Sequence, residues 1–294
     1  ILSKVTNNYK KASINVIKED KYSADKKAHG EATLEGVQFQ LYADMSCTTK
    51  ATVYNVNGAK MTAGVYTIQN GKVTTDYLRS GVTYYLKEIK APVGYNLSTE
   101  VIPIVADASE KTVEYTKEIS DEKYGNNPIL GKVAIQKYYS DGETGLLEPE
   151  ANTTFQVYLK SKGSYKACTD YERAIIKTDS NGYAVTGNLY YGTYVVHQVD
   201  SGDVDAIHVD DFDVEVTENG KVYTYPLNNK LFKAYLKILK KDKQTEKQVF
   251  KPGTAYKIYR VTDDGEELVS QSYSNGNQIK TIDTFITDES GEIM

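Results

Sequence analysis

The chain has 294 residues, and its 35 basic against 40 acidic side chains give a net charge of −5. This acidic balance argues against nucleic acid as a main partner, and no apolar run approaches the length of a membrane span. A content of 26 tyrosines and only 6 prolines, with many Val, Thr and Ile residues, favours strands over helices.

The first predicted element of each part of the chain is a strand that carries a lysine among alternating apolar residues. These strands read INVIKED (14–20), VAIQKYY (133–139) and LKILKKD (236–242), with central lysines Lys18, Lys137 and Lys240. Alternation with period two is typical of a half-buried strand. In the first two runs the lysine has the parity of the apolar residues, so we expect it on the core face. A buried lysine is costly unless it is paired, neutralised or consumed in a covalent bond.

Further markers follow the lysine strand in a fixed order. A strand with an aromatic column comes next, then an Asn-Gly or Ser-Gly turn, a strand opened by glycine and a closing strand. The aromatic strands are GVQFQLYAD (36–44), TTFQVYLK (153–160) and TAYKIYRV (254–261). Short strands that repeat with turn signals between them predict one antiparallel sandwich per repeat.

The repeats set the predicted domain boundaries. We expect residues 1–11 to be the last-strand remnant of a preceding module, and residues 12–127 (module 1) and 128–231 (module 2) to be complete. Residues 232–294 are expected to be the N-terminal half of a third module, in a piece of a longer protein. The predicted fold class is all-β, with tandem Ig-like or prealbumin-like antiparallel β-sandwich modules in a linear array.

The most specific motif is YLKEIKAPVGY (85–95). Together with the lysine strand, it resembles the glutamate motif of the Cna B-type, or SpaA-like, prealbumin-like domains of Gram-positive surface adhesins and pilins. The resemblance implies an intramolecular isopeptide bond between a first-strand lysine and an Asn or Asp of the last strand, assisted by a buried glutamate. In module 1 it implies Lys18 as nucleophile and Glu88 as the assisting acid. The favoured acceptor is Asp121, with the linker residues Asn126 and Asn127 as alternatives.

Module 2 departs from this pattern at the acid. Lys137 matches the lysine, and Asn229 or its neighbour Asn228 matches the acceptor. The position of Glu88 is taken by Gln198, and a glutamine cannot transfer a proton as a carboxylic acid does.

Two readings of module 2 therefore stay open. Either it lacks the bond, or another acid such as Asp211 or Asp213 replaces the missing glutamate. In the third module Lys240 is expected to have no partner within this chain, because no acceptor strand follows it.

The predicted function is structural: a stalk segment of a cell-wall-attached adhesin or pilin-like protein on the surface of a Gram-positive bacterium. The alternative is a module that binds a host matrix protein or a glycan. We expect no enzyme activity beyond a single self-cross-linking event, and no cofactor or metal, because no ligand spacing of known type is present. Neighbouring modules are the expected contacts, and host matrix or glycan would be bound by regions outside this segment.

Overall fold

The computed structural model describes residues 10–108, 116–119, 125–140, 146–202, 206–231, 236–262, 265–275 and 278–293. Strands dominate these residues, and their helices are two three-residue 3₁₀ turns, Lys160–Lys162 and Tyr165–Ala167. Within the same stretches, no helix is long and apolar enough to cross a membrane. The chain divides into two compact units, Ile1–Leu231 and Phe232–Met294. The predicted all-β class is confirmed.

Module 1 is built from ten strands. They are β1 (Lys11–Ile17), β2 (Gln38–Tyr42), β3 (Thr52–Tyr54), β4 (Lys60–Thr62), β5 (Val65–Thr67), β6 (Lys72–Thr74), β7 (Leu78–Arg79), β8 (Thr83–Lys90), β9 (Val101–Val105) and β10 (Thr116–Ile119). One sheet places β1 beside β10, β6 and β7, and the other has the order β5-β2-β8-β9. The apolar faces of both sheets form one core, which includes Ile14, Phe39, Leu41, Leu86 and Ile104.

Module 2 repeats this architecture. Its strands are β11 (Leu130–Ser140), β12 (Leu147–Pro149), β13 (Thr154–Leu159), β14 (Arg173–Lys177), β15 (Tyr183–Val185), β16 (Leu189–Tyr190), β17 (Gly192–Gln198), β18 (Ala206–Ile207), β19 (Phe212–Val216) and β20 (Val222–Leu231). One sheet is β12-β11-β20-β18, with β15 and β16 also paired to β11, and the other is β14-β13-β17-β19. Its separate core includes Val133, Ile135, Phe155, Tyr194 and Val214.

The first and last strands of each module run parallel, within sheets whose other pairs are antiparallel. In module 1, β1 pairs with β10 from Ser13–Thr116 to Val16–Ile119. In module 2, β11 and β20 form nine consecutive pairs, from Lys132–Val222 to Ser140–Lys230. The closing strand therefore lies beside the lysine strand in both modules.

The second compact unit contains β21 (Ile238–Leu239), β22 (Ala255–Tyr256), β23 (Tyr259–Thr262), β24 (Gly265–Leu268), β25 (Gln271–Asn275), β26 (Gln278–Ile282), β27 (Phe285–Ile286) and β28 (Glu292–Ile293). They form four two-stranded pairs. The boundary between modules 1 and 2 stays a prediction, although each has its own buried cluster. Of the predicted remnant 1–11, only Lys10 and Lys11 lie within the described residues, and Lys11 begins β1.

Candidate isopeptide sites

Lys18 and Glu88 meet in the core of module 1. Lys18 follows β1 with the parity of Ile14 and Val16, and only 7% of its surface is exposed. Its Nζ lies 3.3 Å from Oε2 of Glu88, a buried residue of β8 in the opposite sheet. The ring of Phe39, which pairs with Glu88 across the sheet, lies 5.7 Å from the same Nζ. The structure thus brings together the two residues that the motif predicted.

Burial shifts both of these groups toward their uncharged forms. It lowers the pKa of Lys18 and raises the pKa of Glu88, and their mutual attraction opposes both shifts only in part. Removal from water disfavours an ammonium and a carboxylate alike. These shifts move Lys18 toward a neutral amine, which is a nucleophile, and Glu88 toward a protonated carboxyl group, which is an acid.

Asn126 is the candidate acceptor that the structure places at this site. Its side chain is fully buried, and neither Oδ1 nor Nδ2 makes a hydrogen bond. The amide lies near enough to Glu88 to help hold down the pKa of that carboxyl group. Asp121, which the sequence favoured, lies outside the described residues, and Asn127 is exposed.

In module 2 a glutamate that the sequence analysis missed joins the lysine to the acceptor. Lys137 is fully buried, and its Nζ donates to Oε2 of Glu150 at 2.7 Å and to the carbonyl of Tyr138 at 2.7 Å. The other oxygen of Glu150 accepts from Nδ2 of Asn229 at 3.3 Å and from the hydroxyl of Thr153 at 2.9 Å. One buried carboxyl group therefore contacts both prospective reactants.

A hairpin places Glu150 beside Lys137. Strand β12 folds back on β11, with Pro149 opposite Tyr138, and the N–H of Glu150 then donates to the carbonyl of Lys137 at 3.1 Å. Burial lowers the pKa of Lys137, and the hydrogen bond that its Nζ donates to Glu150 opposes this shift. As in module 1, the amine is shifted toward its neutral, nucleophilic form.

The residues that the sequence suggested for the acid position of module 2 make other contacts. Gln198 does occupy the position of Glu88, because it pairs with Phe155 as Glu88 pairs with Phe39. Both ends of its amide bind backbone, however: Nε2 donates to the carbonyl of Asp200, and Oε1 accepts from the N–H of Val209. Gln198 thus fixes the loop after β17.

The two aspartates proposed as replacements are exposed. Asp211 pairs with His197 at 2.7 Å, and Asp213 pairs with Lys160 at 2.5 Å. Both carboxylates therefore lie on the outer face of the sheet. Neither aspartate is the acid of the Lys137 site, because Glu150 holds that place.

The acid has exchanged position between the modules. The backbone bonds between Val37 and Ile68 match those between Thr153 and Thr178, so Glu150, three residues before Thr153, corresponds to Leu34. Module 1 thus has an acid on β8 and a leucine at the second position, whereas module 2 has a glutamine on β17 and an acid at the second position.

Burial distinguishes the two candidate acceptors Asn228 and Asn229. Asn229 is buried and its Oδ1 makes no hydrogen bond, whereas Asn228 is exposed. Asn229 pairs with Tyr139, two residues beyond Lys137. In module 1 Asn126 makes a parallel bridge with Asp20, again two residues beyond the lysine. In both modules the candidate asparagine therefore pairs two residues beyond the lysine.

A model of the SpaA family, described as a prealbumin-like fold domain, matches residues 12–122. Residues 12–122 are thus similar to a SpaA-type domain. No curated protein matches the chain. The SpaA match covers the lysine strand and the glutamate strand of module 1, and the structural equivalences above extend the same arrangement to module 2.

The chain is similar to several solved structures. The chain is similar to the Bacillus anthracis TIE protein, with a TM-score of 0.53 and 22% identity over 96% of this chain and 42% of that one. It is also similar to GBS52, a minor pilin of Streptococcus agalactiae, with a TM-score of 0.33 and 20% identity over 76% and 98% of the two chains. For the C-terminal fragment of the pilus adhesin SpaC from Lactobacillus rhamnosus GG, the TM-score is 0.40 and the identity 13%, over 78% and 100%. The first shows a shared fold, and this chain spans less than half of its length.

The arrangement of lysine, glutamate and asparagine in each module suits one reaction. A neutral lysine Nζ can attack Cγ of the neighbouring asparagine, forming an amide as the Cγ–Nδ2 bond breaks and ammonia leaves. The buried carboxyl group can take a proton from the attacking nitrogen and give one to the leaving nitrogen. Folding supplies the close approach that makes such an amide exchange feasible.

The third lysine has different surroundings. Lys240 is half-buried, and its carbonyl accepts from the N–H of Val249 at 2.8 Å. The position equivalent to Glu150 is Lys251, because the hydroxyl of Thr287 bonds its carbonyl as that of Thr178 bonds the carbonyl of Glu150. The acid of module 2 therefore has no counterpart at this position.

Proposed function

We propose that modules 1 and 2 form a self-cross-linked, load-bearing segment of a bacterial surface protein. The bonds would be Lys18–Asn126, assisted by Glu88, and Lys137–Asn229, assisted by Glu150. Each bond forms once, with loss of ammonia, so the chain modifies itself and turns over no substrate. The acceptor in module 1 is thus Asn126, in place of Asp121.

One observation carries this proposal. In each module a buried lysine, a buried glutamate and a buried asparagine meet, and the asparagine oxygen has no hydrogen bond. Buried polar groups are normally satisfied, and an orphaned one costs about 1–3 kcal/mol. The same unsatisfied carbonyl in two modules, each beside an amine with a lowered pKa, is typical of a reaction site.

The proposed setting is the outer surface of a Gram-positive bacterium, in an adhesin or pilin-like shaft attached to the cell wall. The similarity of residues 12–122 to a SpaA-type domain and the fold shared with the Bacillus anthracis TIE protein support this setting. Neighbouring modules of the same chain are the proposed partners. A stalk must resist stretching and proteolysis, and a bond between the first and last strands serves both needs.

The alternative, a module that binds host matrix or glycan, calls for a contiguous exposed apolar or aromatic patch. Exposed apolar side chains such as Val65 and Val105 lie on β5 and β9, at opposite edges of one sheet. These two residues are separated by the width of the sheet and do not belong to one patch.

Single-molecule stretching of the full chain tests the proposed function. Each bond traps about 100 residues, which would otherwise extend by roughly 35 nm at 3.3–3.6 Å per residue. We expect no extension step of that size from the natural chain and two such steps from the Asn126→Ala, Asn229→Ala double variant. Two long steps from the natural chain would contradict the proposal.

A further inference from the structure

Asp20 is a buried carboxylate that the cross-linking chemistry does not use. Its Oδ1 accepts from the N–H groups of Tyr22 at 2.7 Å and Ser23 at 2.6 Å, and its Oδ2 accepts from the hydroxyl of Tyr95 at 2.6 Å. The hydroxyl of Tyr190 donates to Oδ1 at 3.1 Å. Tyr190 belongs to module 2, whereas the other donors belong to module 1. Because a buried carboxylate needs its donors, the environment of Asp20 depends on both modules.

The backbone on both sides of Asp20 holds the acceptor of module 1. The N–H of Asn126 donates to the carbonyl of Glu19 at 3.1 Å, and the carbonyl of Asn126 accepts from the N–H of Lys21 at 3.1 Å. These two bonds flank Asp20, so a shift of its backbone moves Asn126 as well. Reactions between held groups depend steeply on their alignment. The hydrogen bonds of the Asp20 side chain therefore bear on the approach of Lys18 to the amide.

A relay of backbone bonds holds module 2 against this region. Ile129 donates to the carbonyl of Gly94 at 2.8 Å, Tyr191 donates to that of Ile129 at 3.1 Å, and Glu31 donates to that of Tyr191 at 2.8 Å. Gly94 has a φ of +82°, and a Cβ there would lie 2.5 Å from Cβ of Ala32 in module 1 and 3.2 Å from Cβ of Tyr191 in module 2. The Gly-Tyr pair that ends the APVGY string thus serves the junction: Gly94 allows the close contact, and the following tyrosine bonds Asp20.

The acceptor of module 2 is held differently. Asn229 is one of the nine residues of β20 that pair consecutively with β11. In the described part of module 1, the closing strand makes four pairs, from Ser13 to Val16, and Asn126 adds a single bridge to Asp20. The sheet of module 2 fixes its own acceptor, whereas the acceptor of module 1 depends on the junction.

We propose that Asp20 and Tyr190 are positioning residues for the Lys18–Asn126 bond, so that module 2 must dock before module 1 is cross-linked. This inference rests on the proposed function. Nζ of Lys18 still bonds Cγ of Asn126, the Cγ–Nδ2 bond breaks, and ammonia leaves with a proton from the amine. Docking changes how often the lysine and the asparagine are aligned. The bond of module 1 therefore forms after module 2 has docked.

The test follows both bonds in one sample of the full chain. The chain is recovered unfolded before cross-linking, diluted into native buffer and quenched at intervals, and the two linked peptides are quantified by mass spectrometry. For Tyr190→Phe we expect the Lys18–Asn126 bond to form at least about tenfold more slowly, as for loss of a hydrogen bond to a charged group. The rate of the Lys137–Asn229 bond should stay within about twofold of the natural rate.

Tyr84→Phe is the matched control. It removes a hydroxyl from a buried tyrosine of module 1 that binds the N–H of Arg79, away from Asp20, and both rates should be unchanged. Equal module 1 rates in natural and Tyr190→Phe chains would overturn the positioning role. Slowing of both bonds by Tyr190→Phe would also overturn it, because the residue would then act through the folding of module 2.

A double-variant cycle separates positioning from a general loss of packing. If Asp20 and Tyr190 act as a pair, Asp20→Asn combined with Tyr190→Phe should slow the module 1 bond no more than the slower single variant. Fully additive slowing would contradict the pairing. A natural chain that forms no Lys18–Asn126 peptide would instead reject the proposed function itself, which keeps the two failures distinct.

Discussion

The proposed reaction depends on one buried carboxyl group in each module, and the contacts of Glu150 illustrate its role. Glu150 contacts the amine through one oxygen and the amide nitrogen through the other. Thr153 holds it in place, and the equivalent residue of module 1, Val37, cannot do so because it lacks a hydroxyl. In module 2 the acid therefore lies at a different position from that in module 1, and a threonine accompanies it there.

Removing the carboxyl group of module 2 should stop its reaction. We expect Glu150→Ala to reduce Lys137–Asn229 bonding at least about 100-fold, as for loss of a general acid–base group. Glu148→Ala is the matched control, because that exposed glutamate binds only the hydroxyl of Tyr139 among the contacts described. The measurement is the amount of linked Lys137–Asn229 peptide that each of the two variants forms. Normal bonding in Glu150→Ala would show that the acid lies elsewhere.

The rate at which the Lys18–Asn126 bond forms should fall at both low and high pH. The reaction needs a neutral Lys18, whose pKa burial lowers, and a protonated Glu88, whose pKa burial raises. As pH falls through the pKa of Lys18 the amine is protonated, and as pH rises through the pKa of Glu88 the acid ionises, so the rate should decline on both sides. Refolding the unlinked chain at a series of pH values measures this profile. A rate that only rises with pH, as for an exposed lysine, would contradict it.

The strands themselves could largely be predicted from sequence, and the reason is periodicity. Alternation in β1 and β11 identified the core-facing lysines, and the aromatic columns identified β2 and β13. The same parity rule, applied to β20, selects Asn229 with Tyr223, Tyr225 and Leu227, so the choice over Asn228 was available in the sequence.

Two site residues depend on pairings that the sequence does not specify. Glu150 reaches Lys137 through the hairpin of β11 and β12, which joins positions far apart in the alternating pattern. The sequence offered one signal for Glu150. It aligns with Leu34 of module 1, and its own module has Gln198 where module 1 has Glu88. Asn126 lies in the linker beyond the predicted closing strand, and its bridge to Asp20 sets its position.

The bond between first and last strands should raise the stability of module 2. A cross-link that closes about 100 residues contributes roughly 4–5 kcal/mol by chain entropy. Asn229→Ala should therefore lower the Tm of module 2 by roughly 20 °C, measured by calorimetry. Asn228→Ala, at the exposed neighbouring position, should leave the Tm nearly unchanged. Equal Tm values for the two variants would contradict a stabilising bond.

At the scale of the whole molecule, the direction of the strands determines how tension acts. Because β11 and β20 are parallel, the chain enters module 2 at the start of one strand and leaves at the far end of the other. Tension then shears this pair, and the proposed bond lies across it. The junction at Asp20 links this element to module 1, so the two modules are expected to carry load as one body.

The mass of the intact, denatured chain tests the central claim most directly. We predict that the natural protein is lighter than its sequence by two molecules of ammonia. Each single variant, Lys18→Ala or Lys137→Ala, should be lighter than its own sequence by only one molecule of ammonia. A natural chain whose mass equals that of its unmodified sequence would contradict the account.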